Sequence, residues 1–276
     1  MDLESLKEVP PWEWPSNAAK EILKSLRNER AEGDRRLLAA ELAGDLAVTN
    51  DTMASALLTI ARNRKEPEDL RILATLSLGP VLDYTDTLDL DDPDDAEEML
   101  ISKKTFHKIL QSLHELYLDP DISEELRRKV LEASVHAHQD WHPDAIRDAY
   151  SGDEQWMLTA VFCMQYVPGF EKQILDALED EDEGIHFWAI CAAGNWQVDG
   201  AWEHVSGLVT AKGTEKPLLL AAIEATAAIR PHEAPEVLAP LLDSKDEDIV
   251  EAVEEALIMA EELSESGDHD DEEIPF

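Results

Sequence analysis

Bases are scarce in this chain of 276 residues: 23 Lys and Arg stand against 62 Asp and Glu, a formal net charge of −39. Such a surface repels phosphate backbones and excludes generic nucleic-acid binding. Cysteine is nearly absent. Cys163 in Val-Phe-Cys-Met and Cys191 in Ala-Ile-Cys-Ala lie inside apolar helical runs, which points to buried, reduced thiols rather than a disulfide framework. Apolar runs such as Leu218 to Ile223 fall far short of the ~18 residues that a membrane-spanning helix requires. The start, Met1 to Glu8, lacks the basic-then-apolar order of a secretory signal, so a cytoplasmic location without membrane association is expected. Also missing are a Gly-x-Ser-x-Gly elbow, a phosphate-cradling glycine loop and a Cys-x-x-Cys pair. The commonest signatures of nucleophilic, nucleotide-dependent and thiol chemistry are thereby removed.

What the chain has is an alanine-centred helical register. It recurs as Leu37-Leu38-Ala39-Ala40-Glu41-Leu42-Ala43-Gly44, Ile72-Leu73-Ala74-Thr75-Leu76-Ser77-Leu78-Gly79, Leu220-Ala221-Ala222-Ile223-Glu224-Ala225 and Val250-Glu251-Ala252-Val253-Glu254-Glu255-Ala256-Leu257. Small residues at matched positions let neighbouring helices approach closely, and each unit buries its apolar face on the next. We term the helix carrying this register A and its partner B. Starts of A fall near Asp34, Glu68, Ser123, Asp153, Glu183, Glu215 and Asp246, at spacings of 34, 55, 30, 30, 32 and 31. B helices show simple amphipathic spacing, as in Ile174, Leu175 and Leu178 or Val205, Leu208 and Val209. Pro143, Pro168-Gly169, Asp199-Gly200 and Pro231 mark turns from A to B.

The long spacing of 55 coincides with an acidic insertion at residues 83–100, between an A helix ending at Leu82 and a B helix from Ser102 to Leu118. From Asp83 to Glu98 it holds nine carboxylates and no base, and Glu261 to Glu273 holds eight more. Outside both segments 45 acids still face 23 bases, so the folded body is acidic as well. Part of this acidity is helix punctuation, because A helices begin with carboxylates that favour the positive end of the helix dipole. The domain reading is an irregular Pro- and Trp-rich segment 1–15, one continuous array over 16–263, and a disordered acidic tail 264–276.

The segments Asp246 to Leu257 and Asp34 to Gly44 resemble the HEAT-repeat family, in its short-unit, phycobilin-lyase-like form. The resemblance runs from about residue 16 to 263 and implies an all-α, right-handed α-α superhelix of about seven helix pairs. Gln155-Trp156-Met157-Leu158 and His186-Phe187-Trp188-Ala189 depart from the consensus by placing aromatics where the family more often has Val and Arg.

Three groups of residues are candidates for function. Turns of the central units carry Asp140, Trp141 and His142, Tyr166, and Asn195 and Trp196; they either fill gaps between successive turns or line up as one partner-binding ridge. His114-Glu115 and His232-Glu233 resemble the His-Glu iron ligands of deoxyhypusine hydroxylase, but that family repeats the pair four times and these two are 118 positions apart. No metal site is therefore expected. The loop with Asp89, Asp91, Asp92, Asp94 and Asp95 places Asp94 and Leu100 where an EF-hand needs Gly and Glu, so a solvated acidic loop open to a basic partner is the reading.

The expectation is a non-catalytic, cofactor-free scaffold or adaptor for a basic protein or peptide, with no nucleic-acid partner. Alternatives are a HEAT-like enzyme or carrier of the bilin-lyase or hydroxylase kind, which the resemblance implies, or a nucleic-acid mimic. An acidic surface suited to a salt-rich cytoplasm would serve solubility instead.

Overall fold

The computed structural model describes residues 3–31, 33–90, 92 and 95–268, and none of these is in a strand. The chain is all-α and of the solenoid class. Its contacts divide it into two compact units, Met1–Ala145 and Ile146–Phe276, where a single array had been expected over 16–263.

In the first unit the helices run α1 (Glu4–Lys7), α2 (Ala18–Leu26), α3 (Gly33–Ala43), α4 (Asp51–Arg62), α5 (Glu68–Leu76), α6 (Gly79–Asp86), α7 (Lys103–Tyr117) and α8 (Glu124–Ser134). Helix α9 (His142–Tyr150) carries the chain across the division. The second unit continues with α10 (Glu154–Cys163), α11 (Glu171–Ala177), α12 (Glu183–Asn195), α13 (Trp202–Thr210), α14 (Lys216–Ile229), α15 (Ala234–Leu238) and α16 (Glu247–Asp268). The A helices α3, α5, α8, α10, α12, α14 and α16 begin within a residue or so of the expected positions. Three of these starts are capped by short polar side chains: Ser123, Asp153 and Asp182 accept hydrogen bonds from first-turn N–H groups of α8, α10 and α12.

Packing is layered within each unit. A helices stack on A helices, α3 on α5 on α8 in the first unit and α10 on α12 on α14 on α16 in the second, while the B helices α4, α7, α11 and α13 pack chiefly against the A helix that follows each of them, α5, α8, α12 and α14. Close stacking is achieved by missing side chains. A Cβ on Gly44 would lie 3.0 Å from the Ser77 Cβ, and one on Gly194 would lie 3.0 Å from the Ala225 Cα. The small residues of the register are thus the contact surface between A helices.

A second repeated device belongs to the first unit. The guanidinium groups of Arg36, Arg71 and Arg127, each three residues into its A helix, donate to the carbonyls of Leu26, Ala61 and Tyr117, each ten residues back, at 3.2, 3.0 and 2.7 Å. They satisfy carbonyl groups at the ends of the preceding B helices. In the second unit Met157, His186, Leu219 and Val250 hold the corresponding places.

Three expected boundaries change. Within the segment 1–15, residues 3–15 are packed rather than irregular: they include α1 and a 3-10 turn at Pro11–Glu13, Leu3 and Leu6 are buried, and the Trp14 indole N–H donates to the Leu6 and Val9 carbonyls. The A helix before the acidic insertion does not end at Leu82 but breaks after Leu76 and resumes as α6 to Asp86, with Pro80 in its first turn. At the other end α16 continues to Asp268, beyond the expected limit of 263. Residues 269–276 of the expected tail lie outside the described residues.

Candidate functional site

The first expected cluster turns inward. Trp141 is half-buried, stacked on His114 at 4.8 Å with the rings 11° apart and flanked by Tyr117 at 4.9 Å. Its indole N–H donates to the Gln139 side-chain oxygen at 3.1 Å. His142 is 0% exposed, which corrects its assignment to a partner surface: it fills the space behind Trp141 at the start of α9. The His142 Nε2 and Ser134 Oγ are 3.1 Å apart, but the Ser134 hydroxyl is already donated to the Leu131 carbonyl at 2.9 Å. His142 must therefore donate from Nε2, leaving a bare Nδ1 lone pair that has no partner. Burial, followed by the neighbouring His138 and His114, holds its pKa down to about 4. The pair is a neutral packing element and not an activated serine. Asp140 alone of this turn's expected residues is exposed.

Asn195 and Trp196 reach the turn that leads to Tyr166 in the second unit. The Trp196 indole N–H donates to the Met164 carbonyl at 2.6 Å and the Asn195 amide to the Gln165 carbonyl at 3.4 Å, so the turn after α12 is stitched to the turn after α10. Gln197 follows with φ +49°, while Val198 N–H reaches the Ala193 carbonyl at 2.9 Å and closes the helix in a Schellman arrangement. That geometry throws the Trp196 ring back across the neighbouring turn. These residues fasten successive repeats, and Trp196 keeps 37% exposure.

The more open surface of this unit lies on the free side of the A helices. Phe187 and Cys191 of α12, Leu220 and Ala221 of α14, and Ala252, Ala256 and Met259 of α16 floor a groove of about 830 Å³. Spacings of three and four residues put each set on one helix face. Glu224, Glu251 and Glu255 are exposed along the same groove, and among the described residues no base lines it. Burial first, and Glu224 second, pushes the Cys191 thiol up to about 12, so it stays protonated. Cys191 is half-buried in the groove, unlike the fully buried Cys163, which corrects the expectation of two interior thiols.

Two smaller cavities adjoin by shared residues. One of about 440 Å³ shares Cys191, Ala221, Glu224 and Met259 with the groove and reaches Gln165, Asn195 and Gln197. The other, about 510 Å³, shares Phe187 and Pro217 and is walled by His186, Trp188 and Leu218, with Glu183 and Glu215. Trp188 meets Phe187 at 4.7 Å and Phe162 at 5.1 Å in T-shaped contacts, and Phe162 continues to Tyr166 at 5.6 Å. A half-buried aromatic strip therefore crosses from α10 to the groove. Behind it the Nε2 atoms of His186 and His204 are 2.8 Å apart, and the His204 Nδ1 faces Glu179 at 3.4 Å. Burial, then His204, lowers the His186 pKa.

The aromatic turns and the unusual His186-Phe187-Trp188 run stood out in the sequence, but the face that this run shares with Leu220, Ala252 and Met259 did not. Its signal was present in α12 and α14, whose residues are apolar around nearly the whole helix. One stripe meets the B helix and two flanks meet the neighbouring A helices, so a further apolar stripe is left at the surface.

In the acidic loop Asp89 and Asp92 are exposed, and the Asp95 carboxylate accepts the Asp89 backbone N–H at 2.7 Å; Asp91 and Asp94 lie outside the described residues. Glu115 pairs with Arg62 at 3.1 Å and Glu233 with Arg230 at 3.0 Å, so neither accompanies its histidine. Among the described residues no group of three or more His, Cys, Asp and Glu side chains is arranged to hold a metal ion, and no helix is long and apolar enough to cross a membrane.

No family model and no curated protein matches the chain. Among solved structures it is similar to an engineered protein, at 16% identity and a TM-score of 0.43 over 94% of this chain and 75% of that one. It is also similar to human deoxyhypusine hydroxylase in complex with glycerol, at 14% identity and a TM-score of 0.41 over 94% of this chain and 88% of that one. The all-helical repeat organisation is compatible with a HEAT-like family.

Proposed function

We propose that this protein is a non-catalytic binding scaffold that holds a basic, partly apolar polypeptide segment along the A-helix face of its second unit. The observation that carries the reading is the groove over α12, α14 and α16, in which an apolar floor is edged by Glu224, Glu251 and Glu255, with no lining base among the described residues. An apolar floor rewards hydrophobic side chains, and the carboxylates select a positively charged segment and reject an acidic one. Lys216, next to the groove residue Pro217, is held by Asp246 at 2.8 Å and also by Asp248. The net charge of −39 adds long-range attraction for such a partner.

The test is fluorescence anisotropy with short labelled peptides: an amphipathic Lys/Leu helix, a Lys-rich polar peptide of equal charge, and an acidic amphipathic helix. The basic amphipathic peptide is expected to bind roughly tenfold tighter than the other two and to weaken as salt rises. Reversal of charge in a Glu224→Lys/Glu251→Lys/Glu255→Lys variant removes that advantage. Equal binding of the two basic peptides, or an unaffected variant, would overturn the reading.

A further inference from the structure

We infer that the cavity between the starts of α12 and α14 is an anchor for one arginine side chain of the bound segment. The inference deepens the groove reading and rests on it for the polypeptide, though the anchor itself can be probed alone. The cavity joins the groove at Phe187 and Pro217, so a segment in the groove can turn a side chain into it. Its walls suit the two parts of arginine. Pro217 and Leu218 offer apolar surface to the alkyl stem, and Trp188 offers an aromatic ring to the planar guanidinium.

The charge is supplied by Glu183, the first residue of α12, and Glu215, the residue before α14, both exposed. Neither has an ion pair among the described residues, whereas the adjacent Lys216 is already bound to Asp246 and Asp248. The Nε2 of His186, another polar residue of the wall, lies 2.8 Å from that of His204. A guanidinium matches this set better than an ammonium, because its flat fork can stack and reach carboxylates on two sides together.

The experiment titrates n-butylguanidinium into the uniformly 15N-labelled full chain and follows the Trp188 indole resonance, assigned through Trp188→Phe. A saturable shift is expected for n-butylguanidinium, with a response about tenfold weaker for n-butylammonium and none for n-butanol. Glu183→Gln/Glu215→Gln, on exposed side chains that leave the fold intact, abolishes the shift, and the triple charge reversal in the groove does not. No shift, a shift that survives the double variant, or an equal response to the ammonium overturns the anchor. If the guanidinium response holds while no basic peptide binds, the anchor stands and the groove reading falls. If peptides bind but the guanidinium does not, the reverse holds.

Discussion

Arg36 and Glu66 form a two-point ion pair, Nη1 to Oε2 at 2.6 Å and Nη2 to Oε1 at 2.9 Å, with 8% and 10% of their side chains exposed. The hydrogen bonds and charge of each hold the Arg36 pKa up and the Glu66 pKa down, the hydrogen bond being the larger cause. Arg71 occupies the same place one repeat later, but the position matching Glu66 is Ile122, and the Arg71 Nη2 is left buried without a partner. Glu66→Ala, which strands a buried guanidinium, is expected to cost about 3 kcal/mol. Arg71→Met is expected to change stability by less than about 1 kcal/mol, since it removes an unpaired charge along with one bond to the Ala61 carbonyl. Urea unfolding of both variants checks the ordering, and equal losses would contradict it.

The buried His142 gives a pH dependence with a definite sign. Its pKa is about 4 in the fold against an ordinary value of 6.5, so the unfolded chain binds more protons between those values. Stability attributable to His142 is therefore complete above pH ~6.5 and lost as pH falls toward ~4, by about 3 kcal/mol in all. In His142→Gln the difference in unfolding free energy from the parent protein should shrink over that window. A difference constant from pH 7 to pH 4.5 would show that the histidine does not titrate as the fold requires.

Glycines at and away from the A-helix contact should respond in opposite directions. Gly194→Ala forces a Cβ to 3.0 Å from the Ala225 backbone and should destabilise by about 1–3 kcal/mol. Gly207 lies inside α13 with nothing within 4 Å of a built Cβ, so Gly207→Ala should stabilise by about 0.5–1 kcal/mol through helix propensity. Thermal unfolding of the two variants distinguishes these outcomes.

Thiol reactivity reports on the groove. With its pKa near 12, Cys191 should react with a disulfide reagent orders of magnitude more slowly at pH 8 than after denaturation, and Cys163 more slowly still because it is buried. A basic amphipathic peptide should slow Cys191 further by covering the groove floor. Rapid native labelling of either thiol at pH 8 would contradict this arrangement.

The reach of the sequence differed between architecture and site. Ser123, Asp153 and Asp182 announce their helices because a short polar side chain before an apolar-periodic run has one favourable use, capping exposed N–H groups. Trp141 and His142 gave no comparable indication. A Trp-His pair after an acidic turn reads equally as a surface or as a plug, and His142 became interior because the Ser134 hydroxyl sits where its ring can reach.

The sequence by itself determined the helical class, the A and B alternation, the starts of the A helices and the acidic character, since periodicity, caps and charge are local properties of the chain. Only tertiary structure decided which apolar residues remain uncovered. Phe187, Cys191, Leu220 and Met259 are as hydrophobic as their buried neighbours; they face the groove because A helices meet A helices on two flanks and B helices on a third, and among the described residues of this unit no further helix covers the fourth. Burial is a relation among elements distant in sequence, so it was settled only when α12, α14 and α16 were placed side by side.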